Sequence, residues 1–381
     1  MNSYNMRGGN PMMGGMGGLP QQMPHIPMPN QTSMLSQLAE NLLKTGPLSE
    51  LTGKKLAVDG CKVFESITVQ MRIEEKLSPL TAAVPSCAYV ELSRLVAVCK
   101  HIQTLPEFVF PGMSLTMNPK DKEAQKPRDH NQNILLLNGN RAQFTEKLRN
   151  EASAELNPSL DEDGENYIFS YTKFYPDIQT TRAPYWSWAQ IASYFNRDQI
   201  HHVDEVYGCY EMIAFRGIDR VITRMDLETD TYSFVTKADF LHCFGLTERE
   251  LPYVVAALSM HKLLNDPPMS AMPMPAFEFL SRYRDLGCHP AGKGSSHDLR
   301  AARGALAIQH CPILTPEGQC VPLSVWYGQS VPKKWLRMNF GSVLPPIYYF
   351  LHMSGMLSSA VLSTVANRQI VDSAPAVDCV E

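Results

Sequence analysis

Asp59 closes the short apolar run "LAVDG", and Pro111 and Gly112 close a second, "EFVFPG". The carboxyl ends of parallel strands are where α/β proteins gather ligands, so an acid there could hold a hard cation. Asp-Gly also starts turns, and capping the backbone is an equal reading of Asp59. The stretch "APYWSWAQIASYF", residues 183–195, opens a helix on two tryptophans. At 3.6 residues per turn Trp188, Ile191, Ala192 and Phe195 share one face, which predicts core. Trp186 falls opposite with Gln190, Ser193 and Arg197, so Tyr185, Trp186 and Arg197 are the candidate partner-binding residues.

Metal and thiol chemistry has little support elsewhere. The nine cysteines are scattered, none forms a C-x-x-C pair, and the neighbours Cys288-His289 and His310-Cys311 fit no ordinary zinc spacing. Reduced thiols, no bound metal and no cofactor are expected. Arg216, Arg220 and Arg224 could suggest a basic stripe, but they fall in strand-like sequence interrupted by a glycine and are read as solvated charges.

The chain has 381 residues, with 34 basic against 38 acidic side chains and a formal charge of −4. That balance argues against a protein whose main business is gripping polyanions, which needs a clustered basic surface. A hydrophobic content of 44% is enough for a sizeable core. Residues 1–31 are rich in Met, Gly, Pro and Gln, lack the pattern of a signal peptide and are expected to be disordered. Ile347 to Ala366 carries no formal charge, yet His352, its hydroxyl residues and the preceding Pro345-Pro346 favour a buried amphipathic helix over a membrane span.

These residues need a frame. A helix is predicted through "MLSQLAENLLKTG", with Leu35, Leu38, Leu42 and Leu43 on one face, followed by the strand ending at Asp59. A long helix over "YVELSRLVAVCKHI" leads to the second strand. Strand, helix, strand is the pattern of a parallel sheet. Beyond a polar loop and an acidic turn, "SLDEDGEN", a helix opens at Pro184. Strands are then predicted at "HVDEVYG", "EMIAF", "DRVITRM" and "TYSFV", with helices at "KADFLHCFG" and "ERELPYVVAALSMHKLL". The proline-rich "NDPPMSAMPMPAF" reads as a linker. The organisation expected is a tail, 1–31; a compact α/β domain, 32–266; a linker, 267–276; and a second mixed α/β region, 277–381, that ends abruptly and reads as truncated.

The order of "LAVDG", "FVFPG", "APYWSWAQIA" and "VDEVYGCYEMIAFRGIDRVIT" resembles the flap endonuclease and XPG family, whose fold is PIN-like: a parallel sheet with flanking helices. Active members use two divalent cations, and two such ions in one cleft need several carboxylates to offset four positive charges. Carried over position by position, the resemblance leaves one family acid, Asp59. Pro111 stands at the second-strand acid, Trp186 and Trp188 at the two acids of the helix start, and Gly208, Tyr210 and Met212 along the later strand end. Met260 and His261 stand near the last. Glu211 is one residue out of register, which on a strand turns it to the opposite face.

A second resemblance is closer because it shares these replacements and continues past the linker. "LTERELPYVVAALS", "CPILTPEGQCVPLS" and "VPKKWLRMNFGSVLPPIYYFLHMSGMLSSAVL" resemble the maintenance-of-killer-toxin family of post-transcriptional regulators. That resemblance implies a cytoplasmic, catalytically inactive adaptor in messenger ribonucleoprotein, acting on mRNA stability and translation. It also implies an ataxin-type poly(A)-binding-protein-binding partner and RNA-binding proteins recruited through short peptide motifs, with mRNA reached indirectly. The competing readings are a residual metal-dependent nuclease using Asp59, Glu211 and the "DEDGE" acids, and direct RNA binding without cleavage.

Overall fold

The computed structural model describes residues 34–70, 85–113, 162–176, 178–195, 202–259, 296–331 and 333–367. The tail 1–31, the linker 267–276, Arg197, Cys288 and Cys379 lie outside them.

A seven-stranded sheet organises the described residues. In chain order its strands are β1 (Lys44–Pro47), β2 (Leu56–Asp59), β3 (Glu107–Phe110), β4 (Gln179–Arg182), β5 (Glu205–Tyr207), β6 (Arg220–Asp226) and β7 (Thr231–Thr236), and in space they run β1-β7-β6-β5-β2-β3-β4. The strands from β6 across to β4 are mutually parallel, as the strand-helix-strand pattern predicts. The crossover between β2 and β3 includes the helices Gly60–Gln70 and Ser86–His101. The sheet is mixed rather than purely parallel, because β7 folds back on β6 as a hairpin and β1 joins it antiparallel at the far edge.

β2 lies centrally and all four of its residues are buried, as a strand covered on both faces must be. Its alternation divides two apolar layers. Leu56 and Val58 join Phe108, Phe110, Leu92 and Phe169 on one side, while Ala57 joins Val109, Val206, Trp188 and Ile191 on the other. Asp59 follows Ala57 in that alternation and sits opposite Val109 in the parallel register.

Several local expectations change. The first helix covers Met34–Glu40 only, and Leu43, expected on its buried face, is exposed. "EMIAF" is not a strand but a 3-10 turn over Tyr210–Ala214, its four buried side chains explaining the apolar run. The acidic "DEDGEN" is not a turn; from Glu162 it begins the helix Glu162–Thr172. Pro184 precedes its helix, which starts at Ser187. The Ile347–Ala366 stretch is two helices, Pro346–Met353 and Ser359–Asn367, separated by Gly355 at φ +76°. Among the described residues no helix is long and apolar enough to cross a membrane.

The division expected at the linker does not separate two cores. The layer containing Trp188 and Ile191 takes in Leu35 near the start and Ala301, Ile308, Ile313, Phe340 and Leu362 from beyond the linker. The later segment adds a two-stranded ribbon, β8 (Pro312–Leu314) with β9 (Cys320–Pro322), and this ribbon packs on the helix Ser187–Tyr194.

Candidate functional site

The site forms where β2 ends and two helices begin. Asp59 is fully buried, and each carboxylate oxygen accepts a strong donor. Ser187 Oγ donates to Oδ1 at 2.7 Å and Trp188 Nε1 donates to Oδ2 at 2.7 Å, while the Cys61 backbone N–H reaches Oδ1 at 3.1 Å. The Cys61 contact is a cap: Asp59 satisfies an N–H that the first turn of the helix Gly60–Gln70 would leave without a partner. Burial pushes the Asp59 carboxyl above its usual range, and the bonds from Ser187, Trp188 and Cys61 pull it part of the way back.

Trp188 is buried, as its helical position predicts. Its N–H makes it more than apolar filling, since a buried indole needs an acceptor and Asp59 supplies one. Gly208 closes the floor. A side chain there would run into Met212 Sδ and come within 3.2 Å of Asp59 Cβ, so only glycine lets Met212 pack against the acid. Gly112, behind Pro111, is equally constrained: its N–H donates to Tyr185 O at 2.6 Å, and a Cβ would strike the Ala183 carbonyl.

Of the three residues expected at a partner surface, Tyr185 and Trp186 are among the described residues and Arg197 is not. Tyr185 is 3% exposed; its hydroxyl donates to the Phe340 carbonyl and its ring meets Phe340 edge-on, so it belongs to the core. Trp186 is not on the helix at all but caps its start in an extended conformation. It is half-buried, leaning on Trp188 and Phe215 with ring centroids 6.2 and 6.4 Å away. The face opposite Trp188 is covered by the segment beyond the linker. Gln190 donates to the Leu314 carbonyl at 2.9 Å and accepts from the Leu314 N–H at 2.8 Å, while Tyr327 donates to the Ala192 carbonyl at 2.8 Å. Helical periodicity identified this face as polar. Its partner, 124 residues away in sequence, carried no local signal.

Two of the three arginines are engaged individually, and Arg224 is exposed. Arg220 pairs with Glu205, which also receives Lys54 at 2.9 Å, and Arg216 lies 4.8 Å from the centre of the Tyr327 ring. His310 Nδ1 meets Ser324 Oγ at 2.7 Å, and the neighbouring Cys311 is fully buried in the core.

Two hard cations would need carboxylate oxygens free to face them. Both Asp59 oxygens instead accept N–H and O–H donors, and among the described residues no three His, Cys, Asp or Glu side chains gather into a ligand group. Pro111, Trp186, Trp188, Tyr210 and Met212 supply no carboxylate. Glu211, fully buried, sits on the 3-10 turn and not on the strand expected, so the face-flip argued for it does not apply. Among the described residues, the side chains around Asp59 do not fit a metal pair.

No protein-family model matches the chain. Two curated relatives do, both described as post-transcriptional regulator MKT1. The one from Trypanosoma brucei brucei is 27% identical over 375 residues, covering 91% of this chain and 51% of the relative. The one from Cryptococcus neoformans var. grubii is 22% identical over 367 residues, covering 88% and 46%. The chain thus spans about half the length of the curated relatives it matches. Solved structures similar to it include the catalytic core of Rad2 in complex with a DNA substrate, 14% identical with a TM-score of 0.43 over 75% of this chain and 81% of that one. Flap endonuclease-1 from Methanococcus jannaschii is 16% identical with a TM-score of 0.42 over 83% and 96%. Similarity to regulators described as MKT1 therefore extends along about nine-tenths of the chain.

Proposed function

We propose that this chain is a catalytically silent, nuclease-like scaffold for post-transcriptional regulation in the cytoplasm. It brings RNA-binding proteins and an ataxin-type poly(A)-binding-protein-binding partner together on messages and influences mRNA stability and translation. Contact with mRNA runs through these partners.

The observation that carries the reading is the closed arrangement around Asp59. An acid that binds a catalytic cation must be anionic, with oxygens turned to the ion. Here Ser187 and Trp188 already donate to the two Asp59 oxygens, in a fully buried setting. The names of the two curated relatives support the regulatory setting. Direct RNA binding draws no support from Arg220, paired with Glu205, or from Arg216, stacked on Tyr327.

The test is cleavage. Purified protein is incubated with flap, hairpin and single-stranded substrates in magnesium or manganese, and no products are expected. Products that appear with metal and vanish in Asp59→Ala would overturn the reading.

A further inference from the structure

β4 ends the sheet among the described residues, and its outer edge opens on a cavity of about 460 Å³. The N–H groups of Gln179 and Ala183 point inward, to the carbonyls of Pro106 and Phe110. Strand alternation therefore turns the N–H and C=O of Thr180 outward, away from β3. An exposed strand edge is a template for another extended backbone.

The cavity gives that edge a side-chain pocket. Leu314, Pro316, Trp326 and Phe350 give it an apolar lining, and Lys173 and Arg182 line it as well. Two polar groups on these walls, Thr180 Oγ1 and Trp326 Nε1, are buried without a hydrogen-bond partner. A volume of this size, mostly apolar with a few placed polar groups, suits one or two side chains of a bound chain. Phe350 and Ile347, one helical turn apart, stay exposed at 55% and 56% and extend the apolar surface outward from the cavity. The two cations share one ring, Lys173 Nζ lying 4.7 Å and the Arg182 guanidinium 4.1 Å from the centre of Phe169. Burial, with the Arg182 charge second, holds the Lys173 ammonium below its usual range. A carboxylate on the incoming chain would relieve that repulsion.

We propose that the β4 edge is a peptide-docking groove, taking an extended segment of a partner protein that pairs with Thr180, inserts an aromatic or large aliphatic side chain beside Trp326 and Phe350, and sets an acidic residue near Lys173. Strand addition supplies affinity through main-chain bonds, and the pocket supplies selectivity. This rests on the scaffold reading, since it names the chemistry of one of the scaffold's partners, and it places the contact on the far side of the helix Ser187–Tyr194 from Asp59.

The test uses a phage library of random ten-residue peptides selected on the whole chain. The best clones are resynthesised with a fluorophore and titrated by polarisation against the wild type, Thr180→Pro and Phe350→Ser. Proline removes the outward N–H and is tolerated on an edge strand, and Phe350 is exposed enough to replace safely. The expected result is a set of peptides sharing an apolar residue and an acid, with affinity falling at least about tenfold in each variant while the thermal midpoint stays within about 2 °C. If a variant unfolds, Lys173→Glu serves in its place and should weaken the same peptides. No enrichment above a blank support, or equal affinity in all variants, overturns the proposal. Nuclease assays on the same samples separate the outcomes: cleavage would remove the scaffold reading, whereas lost peptide binding alone would remove only the groove.

Discussion

The indole N–H of Trp188 donates to Asp59 Oδ2 at 2.7 Å, so an aromatic residue at a position where the nuclease resemblance places an acid is the partner of the acid that stayed. The two are coupled: Asp59 gives a buried indole its acceptor, and Trp188 gives a buried carboxylate one of its donors.

Trp188→Phe keeps most of the ring volume but leaves Oδ2 without that donor. A hydrogen bond to a charged or desolvated group is worth roughly 1.5–3 kcal/mol, and a loss of about 2 kcal/mol is expected in urea denaturation. A double-mutant cycle with Asp59→Asn should show coupling well above experimental scatter. Additive losses would mean that the bond contributes nothing to stability.

Tyr185→Phe removes the hydroxyl that donates to the Phe340 carbonyl while keeping the edge-on ring contact. The expected loss is about 1 kcal/mol, with partner capture unchanged. Weakened capture at full stability would return Tyr185 to the binding surface from which its burial removes it.

Gly112→Ala drives a methyl group into the Ala183 and Pro184 carbonyls, which are backbone and cannot swing aside. Overpacking of this kind costs on the order of 3 kcal/mol. Gly208→Ala meets the end of Met212 instead, so Met212→Ala should rescue part of its loss. Thermal melts of the three variants check both statements, and a Gly112→Ala protein as stable as wild type contradicts the first.

His352 is almost fully buried, and burial lowers its pKa from 6.5 to about 4. The neutral ring is the folded form, so the unfolded chain takes up the proton first as acid is added. The stability associated with this residue is complete above about pH 6.5 and falls between pH 6.5 and pH 4, by about 3 kcal/mol at most. Urea midpoints measured from pH 7.5 to 4.5 should drop more steeply in the wild type than in His352→Gln. Parallel curves would show that His352 does not contribute to the acid sensitivity.

Much of the frame was legible because local pattern and tertiary role agree. "LAVDG" and "EFVF" are short apolar runs with helical sequence between them, and they are neighbouring parallel strands. "DRVITRM" and "TYSFV" are strands as well, although their hairpin makes the sheet mixed. "EMIAF" misled because a buried 3-10 turn and a buried strand both read as unbroken apolar sequence. The site was legible in part. The types at 59, 186 and 188 could be read, and Trp188 was placed in the core, but its bond to Asp59 is a matter of distance that no spacing encodes. Tyr185 and Trp186 were assigned to a surface because a helical projection shows which side is polar and not what covers it. Gln190 is that case: its role depends on Leu314, far along the chain.

The Gln190 amide meets Leu314 as a neighbouring strand would, offering one donor and one acceptor to the N–H and C=O of a single residue. A dissection at the proline-rich junction would therefore strip the helix of a surrogate backbone neighbour and uncover Ser193 and the Ala192 carbonyl along with it. A recombinant version should therefore carry the ribbon at 312–322 together with the helix it packs on.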